Sequence, residues 1–363
     1  MNDVQLMRRA LALAARAKGN TSPNPMVGAV VVAQNGEVLA GAYHERAGKQ
    51  HAEVVALEKT SERAAGGTLY VTLEPCVHHG RTAPCVEAIV AAGIHRVVAA
   101  AEDPDPRVAG QGFRRLRAAG IEVCVGLCHD QARDLNRAYY HHRSTGLPYV
   151  TLKMAQSLDG AIAEQPGECH RLSGERARNF VRGLRYDNDV VMIGVGTAIV
   201  DDPQLTVRPY RFRAVPYIRL VVDSVGRLPL SAKLVIESHR AKTVVACTKA
   251  IPSQRRRALE DAGVGTVVCK SSDSGRVDLA DLMKRLGRQE TLSILCEGGP
   301  HLAASLLEAG LVNELHWLIA PIILGTAAAA PVIAAETPLR TKLRLRGLRR
   351  LGTDTWVNAV REA

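Results

Sequence analysis

With 363 residues the chain is long enough for about two domains of ordinary size. Its 47% apolar and 23% charged residues are those of a globular protein, and no apolar run approaches the roughly 20 residues that cross a bilayer, which argues against a membrane protein. The formal charge of +11 suits an anionic partner, yet three Phe and two Trp leave few platforms for stacking on unpaired bases, so a nucleic-acid partner is not expected.

The first residues, Met1-Asn2-Asp3-Val4-Gln5, lack the basic-then-apolar layout of a secretory signal, and a cytoplasmic location is expected. Without such a signal, the eight cysteines read as free or metal-binding thiols rather than disulfides. Cys124, Cys128, Cys247, Cys269 and Cys296 read as packed thiols. The short basic runs Arg114-Arg115, Arg255-Arg256-Arg257 and Arg349-Arg350 read as solvated faces.

In chain order, helical spacing of Leu6, Ala10, Leu13, Ala14 and Ala17 predicts a helix over 4–18. Strands are predicted at 27–33 and 37–43 around the turn Asn35-Gly36. A helix at 52–65 and a strand at 69–73 follow. Next come a helix at 84–92, a strand at 96–101, a helix at 112–119 and a strand at 122–125. An opening hairpin followed by strand–helix alternation predicts a three-layer α/β sheet. A connecting helix is expected over 130–143 and a linker over 144–148, after which the alternation restarts. Strands are then predicted at 149–154, 190–193, 219–223, 243–246, 266–269, 293–296 and 314–320, with helices at 175–186, 253–262, 279–287 and 301–309. Residues 327–330 read as a loop.

Chemistry concentrates first at His51-Ala52-Glu53 and at Glu74-Pro75-Cys76 with Cys85. One imidazole and two thiolates suit zinc with its fourth position open, and the nearby Glu53 is placed to move protons. A His-x-Glu followed by Pro-Cys and a second Cys is the signature of zinc-dependent nucleobase deaminases, although those cysteines usually stand three positions apart and here nine. The predicted elements start a helix at His51 and another at Cys85, where free N–H groups and the helix dipole favour a thiolate.

The second half carries Gly194-Val195-Gly196-Thr197 and Glu297-Gly298-Gly299-Pro300, each after a predicted strand. Glycine turns at helix starts suit phosphates, but neither segment has the three glycines of the dinucleotide fingerprint. Lys153 ends a strand before Ser157-Leu158-Asp159-Gly160. Asp201-Asp202-Pro203 with Leu205-Thr206-Val207-Arg208 adds two carboxylates and a cation.

Taken together these segments resemble the bifunctional deaminase–reductase family of riboflavin biosynthesis over nearly the whole chain. The first half carries the resemblance in Pro23-Asn24-Pro25-Met26-Val27-Gly28, in His44 through His51-Ala52-Glu53, and in 72–85, where His78-His79-Gly80-Arg81-Thr82 fills the long cysteine spacing. The second half carries it in Lys153, Ser157-Leu158-Asp159-Gly160, Gly196-Thr197, Asp201-Asp202-Pro203 and Glu297-Gly298-Gly299-Pro300.

The resemblance implies a cytidine-deaminase-like zinc domain at 1–146 and a dihydrofolate-reductase-like, NADPH-dependent domain at 147–363. It implies one zinc per chain on His51, Cys76 and Cys85, with Glu53 as proton shuttle. Asn24, His44, His78 and Arg81 would line the deaminase pocket. In the reductase, Arg185, Leu205, Arg208 and Glu297 would meet the substrate, with Lys153 and Asp201 as its catalytic residues. Ala155, Thr197, Asp201, Ser224 and the turn Gly299-Pro300-His301-Leu302 would meet NADPH. Two departures stand out. Asp105 replaces the asparagine usual in Asp103-Pro104-Asp105-Pro106. Cys169 and Arg171 stand where many members place a substrate-facing serine and a cofactor-facing tryptophan. The expected partner is a small phosphorylated pyrimidine, and a homo-oligomer, dimer or tetramer, is expected. A deaminase with an inactive second half, or a base deaminase acting on nucleic acid, are the alternative readings.

Overall fold

The computed structural model describes the chain except residues 78–83, 107, 169–170, 208–212, 240, 327, 337 and 363. It divides into two compact units, Met1–Gly146 and Leu147–Ala363.

In the first unit, helix α1 (Asp3–Ala14) opens with a capping box, since Asn2 and Gln5 satisfy each other's backbone N–H. Strands β1 (Gly28–Val32) and β2 (Val38–Tyr43) form the expected hairpin, and every residue of β1 is buried. Helix α2 (Ala52–Glu58), strand β3 (Thr68–Val71), helix α3 (Cys85–Ala91), strand β4 (Arg96–Ala99), helix α4 (Gln111–Ala118) and strand β5 (Glu122–Val125) follow. The sheet runs β2-β1-β3-β4-β5, antiparallel through β3 and parallel beyond it. Leu69, Val71, Ile89, Val97 and Leu116 make its core. Each such buried side chain contributes about 1.5–3 kcal/mol.

The helix expected over 130–143 is two helices, α5 (His129–Leu135) and α6 (Arg137–Thr145). The break at Asn136 has a cause. Its amide donates to Met26 O at 2.8 Å, and its carbonyl accepts from Met26 N–H at 2.8 Å. The linker is shorter than the sequence suggests, because α6 runs through Thr145 and ends at Gly146.

The second unit opens with β6 (Tyr149–Gln156), the short β7 (Ala161–Ala163) and α7 (Glu175–Asp187). Then come β8 (Val190–Gly194), α8 (Val195–Asp201), β9 (Ile218–Val222), α9 (Lys233–Ile236), β10 (Thr243–Cys247), α10 (Ser253–Asp261) and β11 (Gly265–Val268). The chain closes with α11 (Leu279–Arg288), β12 (Ser293–Cys296), α12 (Pro300–Glu308), β13 (Glu314–Ile319), β14 (Ala330–Pro331), β15 (Leu343–Leu351) and β16 (Asp354–Arg361). The nine-stranded order is β11-β10-β9-β8-β12-β6-β13-β16-β15, parallel as far as β13. One face is packed by Leu152, Met192, Ile294 and Leu306, the other by Val191, Ile193, Val221 and Leu259.

Further features depart from the expected elements: α2 ends at Glu58 rather than 65, β6 runs past Lys153 to Gln156, and β7 and α9 are additional. Helix α8 begins inside the glycine-bearing segment, Ala330 pairs with Ala163 rather than lying in a loop, and β15–β16 forms a closing hairpin. The basic runs do lie on outer surfaces: Arg349, for example, sits on exposed β15 with its guanidinium 4.6 Å from the Trp356 ring centre. Cys247, Cys269 and Cys296 are buried, whereas Cys124 and Cys128 are only half-buried.

Candidate active sites

His51 is the N-cap of α2 and Cys85 the first residue of α3, so both stand at helix starts. Cys76 lies in the loop that leaves β3. His51 Nδ1 is 3.1 Å from Cys85 Sγ and 3.5 Å from Cys76 Sγ, and the two sulfurs are 3.5 Å apart. Tetrahedral ligands about 2.0–2.3 Å from one centre stand roughly 3.3–3.8 Å from each other, so these donors fit zinc. The Cys85 thiol, its own N–H and His51 pull the Cys76 thiol down to about 4. Cys85 is pushed up by its bond to Cys76 and by burial. The pair is thus already polarised towards a thiolate.

Glu53, in the first turn of α2, is 3% exposed, and its Oε2 has no hydrogen-bond partner. Burial pushes its carboxyl above the usual range. A buried carboxyl with a free oxygen beside a three-donor cluster can hold a proton and release it. His44 is buried, and burial holds its imidazole below the usual value. Its Nδ1 is 3.0 Å from Gln50 O and its Nε2 3.2 Å from Asn24 Nδ2, which fixes a neutral ring that donates from Nδ1 and accepts at Nε2. The His44 and His51 rings meet edge-on at 5.3 Å. His78 and Arg81 lie outside the described residues.

Sequence reasoning placed Glu74 in the cysteine motif but assigned it no role. Its carboxylate accepts the backbone N–H groups of Gly110, Gly112, Asp103 and Phe113 at 2.8–3.4 Å. A Cβ on Gly112 would stand 2.1 Å from Pro75 O, so only glycine allows this approach. Glu74 thereby ties the loop bearing Cys76 to the start of α4. Its place two residues before a candidate ligand cysteine was the available signal.

In the second unit, β8, β12 and β6 are neighbours, and strand order reverses around them. Open α/β sheets bind ligands at the carboxyl ends of such strands. Lys153, three residues before the end of β6, and Glu297, just after β12, are close enough there to shift each other's ionisation. Arg185 of α7 donates to both Glu297 oxygens, Nε at 2.5 Å and Nη2 at 2.9 Å, and through Nη1 to Thr206 O at 3.1 Å. Burial alone would raise the Glu297 carboxyl, but Arg185 and Lys153 hold it below the usual range. Burial lowers Lys153, against the pull of Glu297 and Asp201. The Arg185 fork, expected to face substrate, is therefore committed to Glu297.

The two glycine-bearing segments adjoin, because a Cβ on Gly299 would stand 2.8 Å from Thr197 Oγ1. Pro300 is the first residue of α12, whose N-cap Gly299 offers no side-chain acceptor to the first N–H groups. This glycine cradle with free amides fits a cofactor phosphate. The side chains of Leu302 and Leu205 are instead packed in the core, leaving only their backbones for ligands. His301, Asp201 and Arg171 are exposed. Ala155 packs against the Ala177–Val181–Leu318 cluster, and Ser224 Oγ accepts from Val277 N–H at 3.0 Å. Cys169 and Arg208 lie outside the described residues.

Residues 148–357 match the family described as the RibD C-terminal domain, and 1–101 the cytidine and deoxycytidylate deaminase zinc-binding region. The riboflavin biosynthesis protein RibD of Actinobacillus pleuropneumoniae is 41% identical over 99% of this chain and 96% of its own length. The chain belongs to the RibD family. Its Escherichia coli relative is 42% identical, covering 90% of each chain. The solved structure of Acinetobacter baumannii RibD is 36% identical with a TM-score of 0.89, covering 99% of both chains. A Thermotoga maritima diaminohydroxyphosphoribosylaminopyrimidine deaminase/5-amino-6-(5-phosphoribosylamino)uracil reductase is 28% identical with a TM-score of 0.85, covering 99% of this chain and 98% of that one. Membership makes the protein a bifunctional enzyme of riboflavin biosynthesis, a deaminase with a zinc-binding domain joined to a reductase. No helix among the described residues is long and apolar enough to cross a membrane.

Proposed function

We propose that residues 1–146 deaminate 2,5-diamino-6-ribosylamino-4-pyrimidinone 5′-phosphate and that residues 147–363 reduce the ribosyl chain of the product to ribityl with NADPH. The carrying observation is the convergence of His51 Nδ1 and the Cys76 and Cys85 sulfurs beside the unpartnered oxygen of Glu53. His51, Cys76 and Cys85 would hold one zinc per chain, which supplies Lewis-acid activation of water near neutral pH. Glu53 takes a proton at Oε2 from the attacking water and passes it to the exocyclic amine as ammonia leaves. Asn24 and the neutral His44 orient the pyrimidine beside them, together with His78 and Arg81 as the resemblance implies.

In the reductase, Lys153 holds a proton at Nζ near the ribose oxygen on which charge develops, and Asp201 attracts that ammonium. Glu297, kept ionised by Arg185, accepts from a ribose hydroxyl. Leu205 and Arg208 meet the substrate phosphate, and Cys169 the substrate. Thr197 and the 299–302 turn receive the cofactor phosphates, with Ala155, Arg171 and Ser224 completing that side. A cytoplasmic homo-oligomer is proposed as well. The edge strand β15, which exposes Leu345 and Leu348, supports self-association; sedimentation at the monomer mass would overturn it.

The test is incubation with the pyrimidine substrate, zinc and NADPH, following ammonia and NADPH separately. Ammonia release followed by NADPH oxidation is expected. No ammonia from folded, zinc-loaded protein would sink the first assignment. Ammonia without oxidation, and no NADPH binding by calorimetry, would leave a deaminase with an inactive second half.

A further inference from the structure

Three successive carbonyls after α8 are each held by a different side chain. Arg219 Nη1 donates to Gln204 O at 3.1 Å, the Tyr217 hydroxyl to Leu205 O at 3.0 Å, and Arg185 Nη1 to Thr206 O at 3.1 Å. Arg219 is fully buried, and its Nη2 donates to Leu234 O, Glu237 O and Ala241 O at 2.7–3.2 Å. The hydrogen bonds of Arg219 run from Nη1 and Nη2 to backbone carbonyls, its buried Nε has no partner, and it makes no ion pair among the described residues, so its contacts fix chain position.

The segment is also bent by backbone that most residues avoid. Leu205 has φ +50° and Asp202 φ +39°. Such conformations persist only where surrounding contacts over-determine them. Tyr217, just before β9, and Arg219, on it, supply those contacts at Leu205 and Gln204, while Lys233 holds Asp202.

What remains on the segment is a set of donors. Among the described residues, the N–H groups of Leu205 and Thr206 have no acceptor, and the buried Thr206 hydroxyl has no partner. Acceptors satisfied and donors left over make a surface complementary to an anion. We propose that Tyr217 and Arg219 are positioning residues of the reductase: by pinning Gln204 and Leu205 they hold the Leu205–Thr206 donors in place for the substrate's 5′-phosphate. This rests on the reading that the second half binds a phosphorylated ribosylpyrimidine. Neither residue touches the reacting atoms.

The test compares Tyr217→Phe with the parent protein, using the deaminated intermediate with and without its phosphate and following NADPH oxidation. The variant keeps the ring and loses the bond to Leu205 O. Its KM for the phosphorylated compound should rise about tenfold, the scale of one charge-assisted hydrogen bond to the phosphate, with a smaller change in kcat. Its kcat/KM for the dephosphorylated compound should stay near that of the parent. Arg219→Lys, which keeps charge but loses the fork, should show the same selective loss. Unchanged KM in folded Tyr217→Phe, or equal losses on both compounds, would overturn the proposal. If the parent protein itself does not distinguish the two compounds, the phosphate reading fails first, and that result is separate because it needs no variant.

Discussion

Cys76 and Cys85 divide one task unequally. Cys76 is poised as a thiolate, while Cys85 is the protonated partner that donates to it. Metal binding must remove that second proton, so zinc affinity should weaken as pH falls. Removal of Cys85 takes away one of three ligands and the donor that stabilises Cys76. Cys85→Ala should therefore drop bound zinc from about one per chain to a small fraction, read by elemental analysis. Full zinc retention with intact ammonia release would remove Cys85 from the site. Glu53 has a different test, because it is buried beside the donors without ligating in the cluster. Glu53→Gln keeps shape and abolishes the proton-holding oxygen. It should keep zinc and lose deamination by at least about 10²-fold. Near-normal ammonia release from that variant would overturn the proton-transfer role.

At the scale of elements, the loop from β4 to α4 carries a buried acid cluster that braces the loop bearing Cys76, one of the candidate metal donors. Asp103 Oδ1 accepts from Asp105 N–H at 2.9 Å and from the Tyr139 hydroxyl at 3.0 Å, while the Asp103 N–H goes to Glu74. Burial pushes the Asp103 carboxyl up to about 6. Its unfolded value is about 3.9. A value raised by folding means that the folded state prefers the proton. The cost of ionising Asp103 is absent below about pH 4 and full above about pH 6. Asp103→Asn mimics the protonated form and retains an acceptor at Oδ1. It should raise the melting temperature by about 2–6 °C at pH 8, for roughly 1–2 kcal/mol, and give no gain at pH 4. The same shift at both pH values would show that ionisation of Asp103 is not the cause. Elements with a single clear signal were legible in the sequence: the apolar run of β1, the Asn35-Gly36 turn, and the helix starts at His51 and Cys85. Those decided by tertiary contacts were not. Nothing local marks the break at Asn136, which is made by Met26 from more than 100 residues away. Nor does the Leu–Arg alternation of β15 announce an edge strand, since its apolar side chains are exposed. In the site, ligand types and spacing pointed to three donors that the fold brings together as a candidate metal cluster. The roles of Glu74, Tyr217 and Arg219 stayed hidden, because each acts through backbone groups that carry no residue identity.

For the whole molecule, the question is whether the two chemistries need one chain. Each unit has its own sheet and its own apolar core, and the division falls at Gly146, where α6 ends. The candidate metal donors, Glu53, Asn24, His44 and the bracing residues Glu74, Asp103 and Asn136 all lie before that point. Lys153, Arg185, Glu297 and the 204–207 segment all lie after it. A unit of 146 residues is large enough to bury a core that sustains independent folding. Residues 1–146 alone should fold cooperatively, bind about one zinc and release ammonia from the phosphorylated pyrimidine, with no effect of NADPH on that rate. Residues 147–363 should oxidise NADPH when given the deaminated intermediate, and should lose that activity when given only the starting pyrimidine. A folded 1–146 fragment that binds zinc but fails to deaminate would mean that the deaminase pocket draws on residues beyond 146, and the two activities would then be coupled through the chain rather than merely joined by it.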